Sequence, residues 1–323
     1  MSGLLERLGV ELPVVQAGMG GGIARSELAA AVSEAGGLGT IGIMPAGALG
    51  AELRKARERT AKPLAINLLL NLARAKHWEA ARQADAVVTF WGKPRRQSDN
   101  VWLHQCGSVE EARAAHAAGA DGVIVQGVEA GGHVRGTTPA LELLARTRET
   151  LPDGYPLLLA GGIADAADVR RALDAGAEAA VLGTRFLMSD ESGARQAYKQ
   201  RLMESRETVL TELFGVGWPD ATHRVLWNEA TERWLRGDRR GPGWVRLANR
   251  AAGPLLARLP DSAQGAALRR QRASVPFLSP QPATDQTPSN LLDAGPLYAG
   301  ETVARIHDVR PAAELVRELA RVG

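Results

Sequence analysis

The stretch Ala117-Ala118-Gly119-Ala120-Asp121-Gly122-Val123-Ile124-Val125-Gln126-Gly127-Val128-Glu129-Ala130-Gly131-Gly132-His133 joins a helix end, an apolar strand and a glycine-rich loop in one short run. Gly119 suits a left-handed helix C-cap. The run Gly122 to Gln126 is too short and too apolar for a surface helix and reads as a strand buried on both faces. The loop after it can approach a ligand closely, because glycine has no Cβ, and it displays one titratable ring, His133. Asp174-Ala175-Gly176-Ala177-Glu178-Ala179 repeats the helix-glycine-strand junction. A repeated αβ junction of this kind belongs to a parallel sheet.

Working outward, eight apolar runs read as strands: Pro13 to Ala17, Leu38 to Ile41, Leu64 to Asn67, Ala86 to Thr89, Val101 to Gln105, Gly122 to Gln126, Leu157 to Ala160 and Ala179 to Leu182. Helical patterns lie between most of them, at Ser26 to Ala35, Ala48 to Arg59, Val109 to Ala118, Ala140 to Thr150 and Ala166 to Ala175. Ser26, Ser108 and Asp165 stand where N-caps are expected, with Glu111 completing a capping-box pattern for Ser108. Eight alternating units favour a closed (β/α)8 TIM barrel over an open sheet. Phe90 to Asn100 is too polar for a helix and predicts an irregular connection. After Leu187 the pattern changes: Ala194 to Leu213 reads as helix, Ser274 to Pro288 as an extended connector, and Ala312 to Val322 as a closing helix. The expected division is a barrel from 1–204 and 273–323, the latter including a C-terminal tail, with a helical insertion or lid at 205–272.

Composition fits one large α/β chain, with 323 residues and 45% hydrophobic residues. No apolar run is long enough for a membrane span, and the first residues lack the apolar core of an export signal, so a cytoplasmic protein with no membrane partner is expected. The single Cys106 excludes an intrachain disulfide and reads as a small buried hydrophobe. Only five of the 39 basic residues are lysines. Ten arginines crowd Arg233 to Arg272, interleaved with Trp234 and Trp244, but without a nucleic-acid motif. They read as a solvated or subunit-contact surface, and a homo-oligomer is the default.

In a parallel barrel the residues just after each strand converge on one face. Here those ends include Gln16-Ala17-Gly18-Met19-Gly20, Asn67, Gln126 with the loop to His133, Ala160-Gly161-Gly162-Ile163 and Leu182-Gly183-Thr184-Arg185-Phe186. Gly161-Gly162 and Gly183-Thr184 follow the last two strands, where backbone N–H groups can hold a phosphate. Gly20-Gly21-Gly22 lacks the glycine order and the acidic residue of a dinucleotide fingerprint. His77, His104, His116, His223 and His307 have no metal-ligand spacing, and no metal is expected.

These motifs, with Ala35-Gly36-Gly37-Leu38-Gly39 and the tail Leu297-Tyr298-Ala299-Gly300-Glu301, resemble the nitronate monooxygenases, also called 2-nitropropane dioxygenases. The resemblance covers about residues 10 to 190 and is carried most specifically by Glu129-Ala130-Gly131-Gly132-His133. It implies a flavoprotein holding FMN non-covalently, with the phosphate at Gly161, Gly162, Gly183 and Thr184. It further implies a cofactor site including Ala17, Gly18, Met19, Asn67, Gln126, Gly131, Gly132, Ala160 and Tyr298, with His133 catalytic on the substrate side. The implied reaction is oxidation of nitronates or nitroalkanes with O2 to a carbonyl compound and nitrite. Alternatives are an NAD(P)H-dependent quinone or enoyl-thioester reductase on the same FMN barrel, or a non-catalytic barrel that binds a phosphorylated ligand. Lys93, Arg95 and Arg96 place three cations in the fourth-to-fifth strand connection, expected at one rim of the site, where an anionic partner such as the pyrophosphate of a nicotinamide cofactor could meet them.

Overall fold

The computed structural model describes residues 3–256 and 261–321. All eight expected strands form: Val14–Gln16, Gly39–Ile41, Leu64–Leu69, Ala86–Phe90, Val101–Cys106, Gly122–Gln126, Leu157–Ala160 and Ala179–Leu182. Numbered first to eighth along the chain, they pair in the order 1-8-7-6-5-4-3-2, and every pair is parallel. A bridge between Val15 and Leu38 joins the first strand to the second and closes the TIM barrel. There the Gln16 N–H donates to Leu38 O at 2.9 Å and the Leu38 N–H to Val14 O at 3.0 Å.

Two compact units make up the chain. The first comprises residues 1–129, 135–193 and 308–323, and the second 130–134 and 194–307. In the first unit, strand side chains alternate between two cores. Val15, Leu38, Val88, Leu103, Ile124, Leu158 and Val181 fill the barrel, and Leu4 and Leu5 of the helix Leu4–Leu8 join that cluster. The opposite faces pack Val14, Val123, Val125, Leu159 and Leu182 against Leu28, Leu143, Val169 and the C-terminal helix Ala312–Leu319. Arg185, only 8% exposed as a side chain, fixes the start of that last segment by donating to Asp308 Oδ1 at 2.5 Å and to Asp308 O at 2.8 Å.

Local signals explain four of the helix ends. Ser108 accepts the Glu111 N–H, Asp165 accepts the Asp168 N–H, and Gly119 and Gly176 take φ of +85° and +91° just past their helices. Ser26 is not a cap. Arg25 holds that position, and Ser26 gives its N–H and hydroxyl to Glu52 of the neighbouring helix Ala46–Arg57, so a carboxylate from another helix takes the role expected of the serine hydroxyl. The 91–100 connection is irregular, as its polarity predicts.

The second unit departs more from expectation. The helix expected over Ala194 to Leu213 runs only Gln196–Glu204, and Thr208–Thr211 is a strand whose residues alternate in burial. The β-branched, alternating Thr208-Val209-Leu210-Thr211 favours a pleated surface over a helix. It pairs antiparallel with His223–Leu226, which pairs in turn with Gly132–His133. The insertion therefore carries a small sheet besides its helices Glu229–Trp234, Gly243–Leu256 and Asp261–Arg270. Its core gathers Val209, Leu213, Phe214, Val225, Leu235 and Leu278. Residues 257–260 of the expected insertion and Val322, the expected end of the last helix, lie outside the described residues.

Candidate active site

In the first unit the strand ends bring distant residues together. Gln16 at the end of the first strand accepts the Thr40 N–H at 3.0 Å through Oε1, and its side-chain amide donates to Ala17 O. The Ala17 N–H donates to Leu182 O at 2.9 Å, and the nearest atom to a Cβ placed on Gly183 would be Ala17 Cβ at 3.8 Å. Gly18 lies against Asn67 and Thr40, and Asn67 Nδ2 donates to Val88 O at 3.4 Å. Met19 folds back through its N–H to Ala17 O at 2.8 Å. Gln126, buried, pairs in register with Ala160, whose carbonyl accepts the Gly127 N–H at 2.9 Å.

Gly161 and Gly162 have φ of +102° and +74°, and Gly183 precedes the short helix Thr184–Leu187. A Cβ on Gly162 would meet nothing nearer than Glu129 Cβ at 3.8 Å. Gly161 and Gly162 follow the seventh strand in backbone conformations that side chains resist, and Gly183 follows the eighth, the two strand ends where a barrel of this kind can hold a phosphate. Glu129, the acid of the motif, has a structural duty: both its oxygens accept the Ala140 N–H, at 3.1 and 3.0 Å, at the start of the helix Ala140–Arg148.

His133 belongs to the second unit, in an aromatic cluster. Its imidazole stacks on Trp218, with ring centroids 3.9 Å apart and planes at 22°. His223 meets it edge-on at 5.3 Å and Tyr298 lies tilted at 5.6 Å. Burial, with His223 second, holds His133 well below the usual histidine range, so the ring is neutral at pH 7. His223 is neutral as well: its Nδ1–H donates to Ala221 O at 2.8 Å while Nε2 accepts the Phe214 N–H at 3.4 Å, and burial lowers its pKa to about 4. Tyr298 donates its hydroxyl to Pro280 O at 2.8 Å. Gly131 and Gly132 serve the loop differently. A Cβ on Gly131 would lie 2.5 Å from Gly300 N, whereas Gly132 needs its freedom for a φ of +75°.

Sequence patterns single out His133 and Tyr298 but miss Trp218 and His223. A lone tryptophan beside Gly217 and a histidine in an apolar strand have no spacing that ties them to residue 133. The expected cation rim also changes. Arg96 is anchored before the fifth and sixth strands, on Gly119 O at 2.6 Å and Asp121 Oδ2 at 2.6 Å, at the barrel end opposite the strand C-termini. Lys93 and Arg95 are exposed. Cys106 is buried, which pushes its thiol up. No helix among the described residues is long and apolar enough to cross a membrane.

A model of the family described as nitronate monooxygenase matches residues 2–94 and 89–321. The chain belongs to the nitronate monooxygenase family. Membership makes it an oxidoreductase, in a family that is flavin-dependent in general, and sets aside the non-catalytic barrel. Among curated relatives of this family member is the (3aS,4S,5R,7aS)-5-hydroxy-7a-methyl-1-oxo-octahydro-1H-indene-4-carboxyl-CoA dehydrogenase of Mycobacterium tuberculosis (strain ATCC 25618 / H37Rv). It is 34% identical over 249 residues, 73% of this chain and 69% of that one. Solved structures similar to it include FabK from Thermotoga maritima, with a TM-score of 0.77 at 25% identity over 99% of this chain and 94% of that one. Nitroalkane oxidase from Streptomyces ansochromogenes has a TM-score of 0.73 at 29% identity over 99% of this chain and 97% of that one.

Proposed function

We propose that the chain is an FMN-dependent nitronate monooxygenase that converts alkyl nitronates, and nitroalkanes after deprotonation, with O2 to a carbonyl compound and nitrite. The observation that carries this reading is the neutral, stacked imidazole of His133. A neutral imidazole can accept the proton on the carbon beside a nitro group, and once protonated it offsets the charge of the anion it creates. Nitronates arrive deprotonated and do not need that step. Gly161 and Gly162, with positive φ after the seventh strand, and Gly183 and Thr184 after the eighth would cradle the FMN phosphate. Ala17, Gly18, Met19, Asn67, Gln126 and Ala160, all of the first unit, would hold the ring and ribityl chain. Bound FMN supplies the electron transfer and the oxygen chemistry.

The 34% identity to a dehydrogenase named for a CoA thioester favours a second reading, NAD(P)H-dependent reduction of an enoyl thioester or quinone on the same cofactor. Anaerobic stopped-flow mixing of the flavin-loaded protein separates the two. Bleaching by propyl nitronate but not by NADH or NADPH supports the monooxygenase. Fast bleaching by a nicotinamide overturns it in favour of the reductase.

A further inference from the structure

The arginine- and tryptophan-rich insertion has no role in the sequence pattern, yet it supplies the surroundings of His133. The His133 backbone pairs in register with His223, and the Val134 N–H donates to Thr222 O at 2.9 Å. His223 also takes the Phe214 N–H on Nε2. From Phe214 the chain turns through Gly217, at φ +80°, and the Trp218 N–H closes on Gly215 O at 3.1 Å. That turn lays the Trp218 indole, 8% exposed, flat on the His133 ring. One residue, His223, thus ties down both the strand that carries the imidazole and the turn that carries the indole.

We infer that Trp218 is a positioning residue for His133, and that the insertion contributes to the reaction through this histidine. The inference rests on His133 being the proton-handling group of the proposed function. A flat stack fixes the plane of the imidazole, because rotating the ring gives up the aromatic contact. It also covers one ring face against water, so protons reach the ring along its edge. His223, held as its Nδ1–H tautomer, sits edge-on without adding charge. Trp218 itself has no proton to exchange near pH 7, which is why its action passes through His133.

The test is a pH titration of the full-length, 15N-histidine-labelled protein by two-bond 1H–15N correlation spectra, with His133→Gln assigning the resonance. The expected wild-type result is one tautomer of His133 that stays neutral well below pH 6.5. Trp218→Phe keeps a ring on the imidazole and preserves that behaviour. Trp218→Leu keeps the apolar volume without the stack. It should move the midpoint toward the ordinary histidine value, admit a second tautomer, and lower kcat for nitroalkanes roughly two- to tenfold with KM little changed. Trp218→Met carries the same expectation should the leucine variant fail to fold. A folded Trp218→Leu or Trp218→Met protein whose His133 titrates as in wild type would overturn the inference. The titration needs no substrate, so absence of nitronate turnover would count against the proposed function and leave this result standing.

Discussion

A Cβ atom placed on Gly18 would lie 2.2 Å from the Cβ of Asn67, so the loop after the first barrel strand and the third strand touch as closely as glycine allows. Gly18→Ala should destabilise the protein by roughly 1–3 kcal/mol through overpacking and lower its FMN content. Adding Asn67→Gly removes the opposing atom and should recover most of the lost Tm. A Gly18→Ala protein with unchanged Tm would show that the contact relaxes freely.

Gly162 presents the opposite case. Its φ of +74° disfavours a side chain, but a Cβ there would make only an ordinary contact, with Glu129 Cβ at 3.8 Å. Gly162→Ala should therefore cost only about 1–2 kcal/mol, the strain of a left-handed backbone. FMN retention on dialysis should fall much further than stability if this backbone holds the phosphate. Unaltered retention would move the cradle elsewhere.

Acid should destabilise the protein through buried neutral histidines. His104, bonded through Nδ1 to Thr89 Oγ1 at 2.7 Å, and His223 are both lowered to about 4, chiefly by burial. Between their ordinary value of about 6.5 and about 4, the unfolded chain binds more protons than the folded one. Stability is thus full above about pH 6.5 and falls as pH drops toward 4, by on the order of 3 kcal/mol for each residue. Urea midpoints measured from pH 7.5 to 4 should show this slope, and a folded His104→Gln variant should flatten it.

Arg96 offers a control on the site assignment. It joins Asp121 to the Gly119 carbonyl, and Asp121 also accepts the Trp102 N–H at 2.8 Å. Arg96→Met should lower stability by about 1 kcal/mol, since the pair is partly exposed. Its kcat/KM for propyl nitronate should stay at the wild-type value. A selective loss of activity would return Arg96 to the site.

Much of the barrel is legible in the chain because its signals are local. Apolar runs such as Val123-Ile124-Val125 mark strands, and Gly119 and Gly176 mark helix ends through a backbone conformation that side chains resist. The misreadings have causes of their own. Ser26 looks like a cap, but its N–H goes to Glu52, from the next helix. Thr208 to Thr211 sits in a continuous amphipathic stretch, where a short strand is easily absorbed into the preceding helix.

By itself the sequence determines an α/β chain of eight strand-helix units and a glycine loop ending in His133, because burial period and backbone freedom are written residue by residue. Only the tertiary structure decides that His133 stacks on Trp218 beside His223 and Tyr298, that Glu129 caps a helix, and that Arg96 lies at the far end of the barrel. Those outcomes depend on strand register and on which distant turns close together, and no local spacing records that geometry.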